Sequence, residues 1–294
     1  MIKVRMRIVV LAVVLAVSAF SAVQAETWRL SKDQDWKAIS QSKRDKYMLA
    51  VARIKQMVNA GRSEDVSRAL VDLKKDYPEI AGPDLDAFIE AETYYAQRKF
   101  VKSIRAYDKI LDEYPQSRLY EAALDRQFAI ASAFLAGEKM QVLKVFKMKG
   151  YAEGSKIMEN ISDRAGDSPL AKEASLAVAR SLERRKKFKD AYVKWSEISM
   201  RWPTGDMGRD SLLAMARCKH AAYQGPKFDV SDLLSAKSYY ESFQQRYPKA
   251  SGKLQISKRL EQINEQIAYK HFYIGNYYHR TGNKQPANFY FQMV

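Results

Sequence analysis

Few residues in this chain combine the types and spacing that chemistry needs. His220, His271 and His279 are its three histidines. His271 and His279 share one helical pattern but are not an i, i+4 pair, and no H-E-x-x-H occurs. Cys218 is the single cysteine and sits in an Ala/Met/Leu-rich stretch, which reads as a buried, inert thiol with no intramolecular disulfide to form. The run Asp163–Asp167 is too short and too poor in ligands for a calcium loop. Asp84 and Asp86 read as helix-capping residues. There is no G-x-S-x-G, no Walker loop and no catalytic Cys–His pair. The expectation is a chain that is not an enzyme and uses no cofactor, no metal and no small-molecule substrate.

What remains is recognition chemistry. The chain has 18 tyrosines, paired at Tyr94-Tyr95, Tyr239-Tyr240 and Tyr277-Tyr278. Such rings either wedge between helices or line a groove that holds an extended or C-terminal aromatic peptide. In G-E-K-M-Q-V-L-K-V-F-K-M-K-G-Y, residues 137–151, Val142, Leu143, Val145, Phe146 and Met148 are interleaved with Lys144, Lys147 and Lys149. This cationic amphipathic insertion either folds back on its own chain or lies on an anionic membrane surface or a partner. Arg180–Asp190 places six basic residues, Arg184 and Arg185 among them, around one turn. That turn is either a solvated helix end or an anion-docking patch. The candidate partner-binding residues are therefore Tyr94, Tyr95, Val142, Phe146, Lys147, Arg184, Arg185, Tyr277, Tyr278 and Arg280.

The elements that must position these residues are helical. Gly and Pro are few and fall between helical patterns, and strand-like alternation is rare. Aromatic–Pro steps recur at Tyr77-Pro78, Tyr114-Pro115, Trp202-Pro203 and Tyr247-Pro248. Pro169 and Pro203 lie 34 residues apart, the tetratricopeptide spacing, and the larger gaps read as insertions. Counting back 12 and 8 from each Pro finds a small residue and an aromatic one: Ser103 and Tyr107, Ala191 and Trp195, Ala236 and Tyr240. Pro78 gives Val66 and Leu70, a divergent first unit.

The small residue would let two helices approach, and the ring would fill the wedge beside it. The Pro, lacking an N–H, would end the hairpin and open the next, with Ser168-Pro169 as N-cap and N1. Gly275, Ala287 and Phe291 continue the pattern. The closing Pro would fall five residues past Val294, so the last helix is either capped by a partner or cut short.

Helices are expected over 33–60, 63–76, 84–98, 100–114, 118–136, 152–165, 169–185, 188–201, 206–223, 231–246, 251–280 and 284–294. The fold class is all-α: a tetratricopeptide-like, right-handed α-solenoid of about five to six helix hairpins, spanning 33–294 behind an extended tail at 26–32.

Residues 1–25 form a basic start (Lys3, Arg5, Arg7), an apolar run from Ile8 to Val17 and a small-residue end at Val23-Gln24-Ala25. That layout is a cleaved signal peptide, with an uncleaved N-terminal anchor as the alternative. Export to the periplasm, with association at the outer membrane, follows as an expectation. The formal net charge is +16, only three of it from the leader. Such a surface attracts anionic partners and lipid headgroups, and export argues against nucleic acid.

Phe228–Val294 has a further order of parts: an inserted loop, an Ala-bearing helix, a Tyr-Pro step, then a long helix ending in Tyr277-Tyr278 and a Gly turn at Gly282. This resembles the outer-membrane assembly lipoprotein BamD (YfiO) family of tetratricopeptide scaffolds, and the resemblance extends back to Ala91. It implies envelope partners: a β-barrel insertase docked by the C-terminal repeats, unfolded outer-membrane protein segments received by the N-terminal ones, and peripheral membrane contact. The chain departs from that family twice. The lipid-modified cysteine has no counterpart, and the Arg expected just before Gly282 is Thr281, with Arg280 one residue earlier and about 100° round the helix. The alternative is a cell-envelope adaptor, Tol–Pal-like or peptidoglycan-associated, that binds anionic partners through its basic surface.

Overall fold

Phe100–Glu113 shows how a stretch of this sequence becomes a packed helix. Ser103, Ile104, Ala106, Tyr107, Ile110 and Leu111 are all buried. They recur every three to four residues, so they share one face, while the charges between them stay outside. The computed structural model describes residues 28–30, 36–38, 41–78, 81–142 and 146–294. The signal-peptide expectation at 1–25 lies outside these residues.

The chain divides into two compact units, one ending at Lys99 and one running from Phe100 to Val294. In the first, β1 (Trp28–Leu30) pairs antiparallel with β2 (Trp36–Ala38), Trp28 opposite Ala38 and Leu30 opposite Trp36. Helices α1 (Gln41–Asn59), α2 (Ser63–Asp76) and α3 (Pro83–Ala96) follow. Their core holds Ile54, Val58, Val66, Leu70, Leu73 and Ala96. The second unit runs α4 (Phe100–Glu113), α5 (Tyr120–Ala136), β3 (Lys139–Val142), β4 (Phe146–Lys149), α6 (Tyr151–Arg164), α7 (Pro169–Arg184), α8 (Phe188–Arg201) and α9 (Gly205–Ala222). It closes with α10 (Ser231–Arg246), α11 (Pro248–Lys253), α12 (Ile256–Arg280) and α13 (Lys284–Phe291).

Within each unit, neighbouring helices pack in sequence order, with α9 against both α8 and α10 and α12 against both α10 and α13. Each helix thus finds its core in the ones beside it, as an all-α helical repeat requires. Among the described residues, no helix is long and apolar enough to cross a membrane.

The positions read from the repeat carry the packing. Ser103, Tyr107, Ala191, Trp195, Ala236 and Tyr240 are all buried, and so are Val66 and Leu70 in the divergent first unit. Ser168 caps α7 with its hydroxyl 3.2 Å from the Ala171 amide, and Pro169 takes the first helical position.

Two expected helices are corrected. The span 33–60 is helical only from Gln41, because Trp36–Ala38 is extended and hydrogen-bonded to β1. The paired strand also means that the tail expected at 26–32 contributes Trp28–Leu30 to a β-ladder. The span 251–280 is two helices. α11 starts at Pro248, and Gln255 takes a left-handed conformation (φ 52°) that breaks the i→i−4 ladder before α12.

Candidate partner-binding surfaces

Among the described residues, the C-terminal hairpin displays most of the exposed aromatic side chains. Tyr269, Tyr273 and Tyr277 recur every fourth residue of α12, so they share one face, and Arg280 continues it. Tyr269 and Tyr277 are 57% and 61% exposed, and Phe272 and Phe289 add further exposed ring surface. Arg280 is exposed and makes no ion pair among the described residues. Tyr278 is different. It faces α13 and stacks on Tyr290, centroids 5.8 Å apart and planes 10° from parallel. Of the two tyrosines singled out from sequence, Tyr277 is displayed and Tyr278 holds the hairpin together.

Arg184 and Arg185 lie at the foot of the β3–β4 hairpin. The Arg184 guanidinium donates to the Leu135 carbonyl at 3.5 Å. Arg185 donates to the Ser181 carbonyl at 3.3 Å and sits over the Tyr151 ring at 4.4 Å, with Lys149 on the same ring at 5.5 Å. Gly137 (φ 104°) ends α5, and the Gly150 amide donates to the Glu138 carbonyl, closing the base of the hairpin. These two arginines therefore contact the two helices that flank the insertion, at Leu135 and Tyr151.

The insertion is a regular antiparallel pair with Val142 opposite Phe146 and Gln141 opposite Lys147. The side chains of Val142, Phe146 and Lys147 lie outside the described residues. Tyr94 and Tyr95 are half-buried on α3, and Tyr95 packs on the core of its unit.

A second cluster had no signal in the sequence. The Glu183 carboxylate on α7 accepts from the Trp195 indole N–H at 2.6 Å on α8 and from Arg217 on α9 at 2.8 and 2.9 Å. The Cys218 thiol points at the same carboxylate, 3.3 Å away. Burial first, and then the Glu183 charge, push that thiol up to about 12, so it is not a nucleophile at neutral pH. One carboxylate thus ties three successive helices. Its partners lie 12, 34 and 35 residues away, beyond the reach of any local pattern.

His220 is half-buried on α9, its Nε2 3.1 Å from Gln266 Oε1 on α12 and its ring edge-on to Tyr240. Burial lowers its pKa, opposed by the Gln266 hydrogen bond. His271 packs against Tyr290 on α13, and His279 is exposed. No group of three or more His, Cys, Asp or Glu side chains is placed to hold a metal ion among the described residues.

Residues 88–117 match the tetratricopeptide repeat family. No curated protein matches the chain. Similar solved structures include the C-terminal part of a TPR repeat-containing protein from Cytophaga hutchinsonii, at 13% identity and TM-score 0.40, covering 84% of this chain and 82% of that one. The apo form of RapI is similar at 13% identity and TM-score 0.35, over 84% of this chain and 96% of that one. PilW, a widely conserved type IV pilus biogenesis factor, is similar at 15% identity and TM-score 0.31, over 86% and 91%. The matched repeat spans most of α3 and all of α4, where the small–aromatic pair Ser103 and Tyr107 is buried. The chain carries a tetratricopeptide-type helical repeat, an architecture suited to protein–protein contact.

Proposed function

We propose that this chain is a non-enzymatic periplasmic scaffold in outer-membrane β-barrel assembly, docking an insertase through its C-terminal hairpin and receiving unfolded substrate segments on its repeats. The observation that carries the reading is the exposed face of Tyr269, Tyr273 and Tyr277 with Arg280 beside it. Aromatic and Arg side chains are the usual anchors of protein interfaces, and these are already on the surface. The resemblance of Phe228–Val294 to the BamD family puts insertase docking on the same hairpin.

The test is affinity capture of the tagged full-length chain from gently solubilised envelopes, with partners identified by mass. The insertase is expected at low salt and again at about 0.5 M salt, where the Debye length has shrunk to a few Å. Tyr273→Ala with Tyr277→Ala is expected to lower its recovery at least about tenfold, the scale of one interface anchor. Loss of every partner at high salt, or recovery of wall-associated proteins alone, sinks the assembly role and leaves the charged adaptor.

A further inference from the structure

A cleft of about 530 Å³ opens between α9 and α12, the first helices of two successive hairpins, with α10 behind it. That size is within the usual range for ligand sites. Its floor is apolar, with Leu213, Tyr240 and Ile256, and Leu254 adds an apolar rim. Leu254 is 49% exposed and lies between α11 and α12. Its polar lining is all donor or neutral, with Arg217, Arg259, His220, Tyr223 and Gln266 present and no carboxylate among the lining residues.

Two of those donors have capacity to spare. Arg217 binds Glu183 through Nε and Nη2, which leaves Nη1 without a hydrogen bond among the described residues. Arg259 touches only Gln262, at 3.4 Å, and makes no ion pair among the described residues. Tyr223 also lines the cleft, but its hydroxyl is closed off from solvent and is not one of the groups that face an incoming ligand. The fields of both guanidinium groups reach the Tyr240 phenol, where they oppose the upward push of burial. The unpaired Arg259 charge, with the spare Arg217 N–H beside it, therefore borders an apolar floor.

We propose that this cleft is a recognition subsite for an extended acidic peptide segment: an Asp or Glu carboxylate held by Arg217 and Arg259, with the apolar residue beside it seated on Leu213, Tyr240, Leu254 and Ile256. Charge complementarity sets the carboxylate, and the apolar floor sets its neighbour. The exposed rim at Arg217, Leu254 and Arg259 lets a chain pass along the helices. The proposal rests on the scaffold reading and specifies what this part of the repeat would take hold of.

The test is calorimetric titration of the purified full-length protein with three synthetic peptides. One is capped at both ends and carries a single internal Glu between Leu and Phe. The second has Gln in place of that Glu. The third has Gln and a free C-terminal carboxylate. The first peptide is expected to bind at least about tenfold tighter than the other two, a step worth about 1.4 kcal/mol, with affinity falling as salt rises. Arg259→Ala removes an exposed side chain with one weak contact and is expected to erase that preference while leaving the melting temperature unchanged.

Equal binding of the Glu and Gln peptides, tighter binding of the free-terminus peptide, or an unchanged preference in Arg259→Ala overturns the proposal. Insertase capture by the wild-type chain separates the two readings. A wild-type chain that captures the insertase but binds the Glu and Gln peptides alike refutes the subsite and keeps the scaffold, whereas a Glu preference without insertase capture keeps the subsite and refutes the assembly role.

Discussion

His220 on α9 shows how a single side chain acquires its properties from other helices. Burial acts first, with the Tyr240 ring on α10 edge-on to it; Gln266 on α12 supplies the hydrogen bond, and the Arg259 charge, also on α12, opposes protonation. The folded pKa therefore lies below the ordinary value of about 6.5. The unfolded chain binds the proton more readily, so folded-state stability falls as pH drops from about 6.5 toward the folded pKa and levels off below it. His220→Gln keeps a polar side chain but cannot titrate. Chemical denaturation from pH 8 to 5 is expected to show the difference in stability between wild type and variant changing in that window, and in that direction. A difference that stays flat with pH would show that His220 titrates alike in both states.

The helical hairpin is where the small residues matter. A Cβ on Gly275 would stand 2.6 Å from the Phe291 ring, and one on Gly154 would stand 2.9 Å from the Phe134 Cβ and 3.0 Å from the Ala131 carbonyl oxygen. Both glycines are buried, and each allows a close approach, of α12 to α13 and of α6 to α5. Gly154→Ala is expected to cost about 1–3 kcal/mol, the range for overpacking a tight interior, because its neighbours include backbone that cannot turn aside. Gly275→Ala is expected to cost less, since its Cβ would meet only the side-chain ring of Phe291 and no backbone. Urea melts that ranked the two the other way would place the rigid contact at the C-terminal hairpin. The same logic explains why Arg184 and Arg185 are engaged: the hairpin between Gly137 and Gly150 interrupts a repeat, and their carbonyl and cation–π contacts reach the helices that flank it.

At the scale of the whole molecule, a net charge of +16 coexists with a displayed aromatic face on the last long helix. The charge keeps the chain soluble and speeds encounter with anionic surfaces, whereas apolar anchors govern how long a complex lasts. Replacing Tyr269, Tyr273 and Tyr277 together by Ser is expected to lower binding of a hydrophobic dye while shifting stability by no more than about 0.5 kcal/mol per site, as surface substitutions do. A large fall in stability would instead mean that these rings support the fold.

Sequence alone determined the local part of this protein. Boundaries such as 63–76, 188–201 and 231–246 were readable because apolar residues recur at the helical period and because Pro and Gly stop helices by backbone geometry. The small–aromatic pairs were readable because the repeat fixes their distance from each Pro.

Tertiary structure decided the rest. It split 251–280 through the left-handed Gln255, and it turned Trp36–Ala38 into a paired strand. It sent Tyr277 outward and Tyr278 inward, since adjacent residues on a helix point about 100° apart. It also brought Glu183 to Arg217, and Arg217 to the cleft shared with Arg259. Those contacts join residues on different helices, and only the stacking of one hairpin on the next sets which side chains meet.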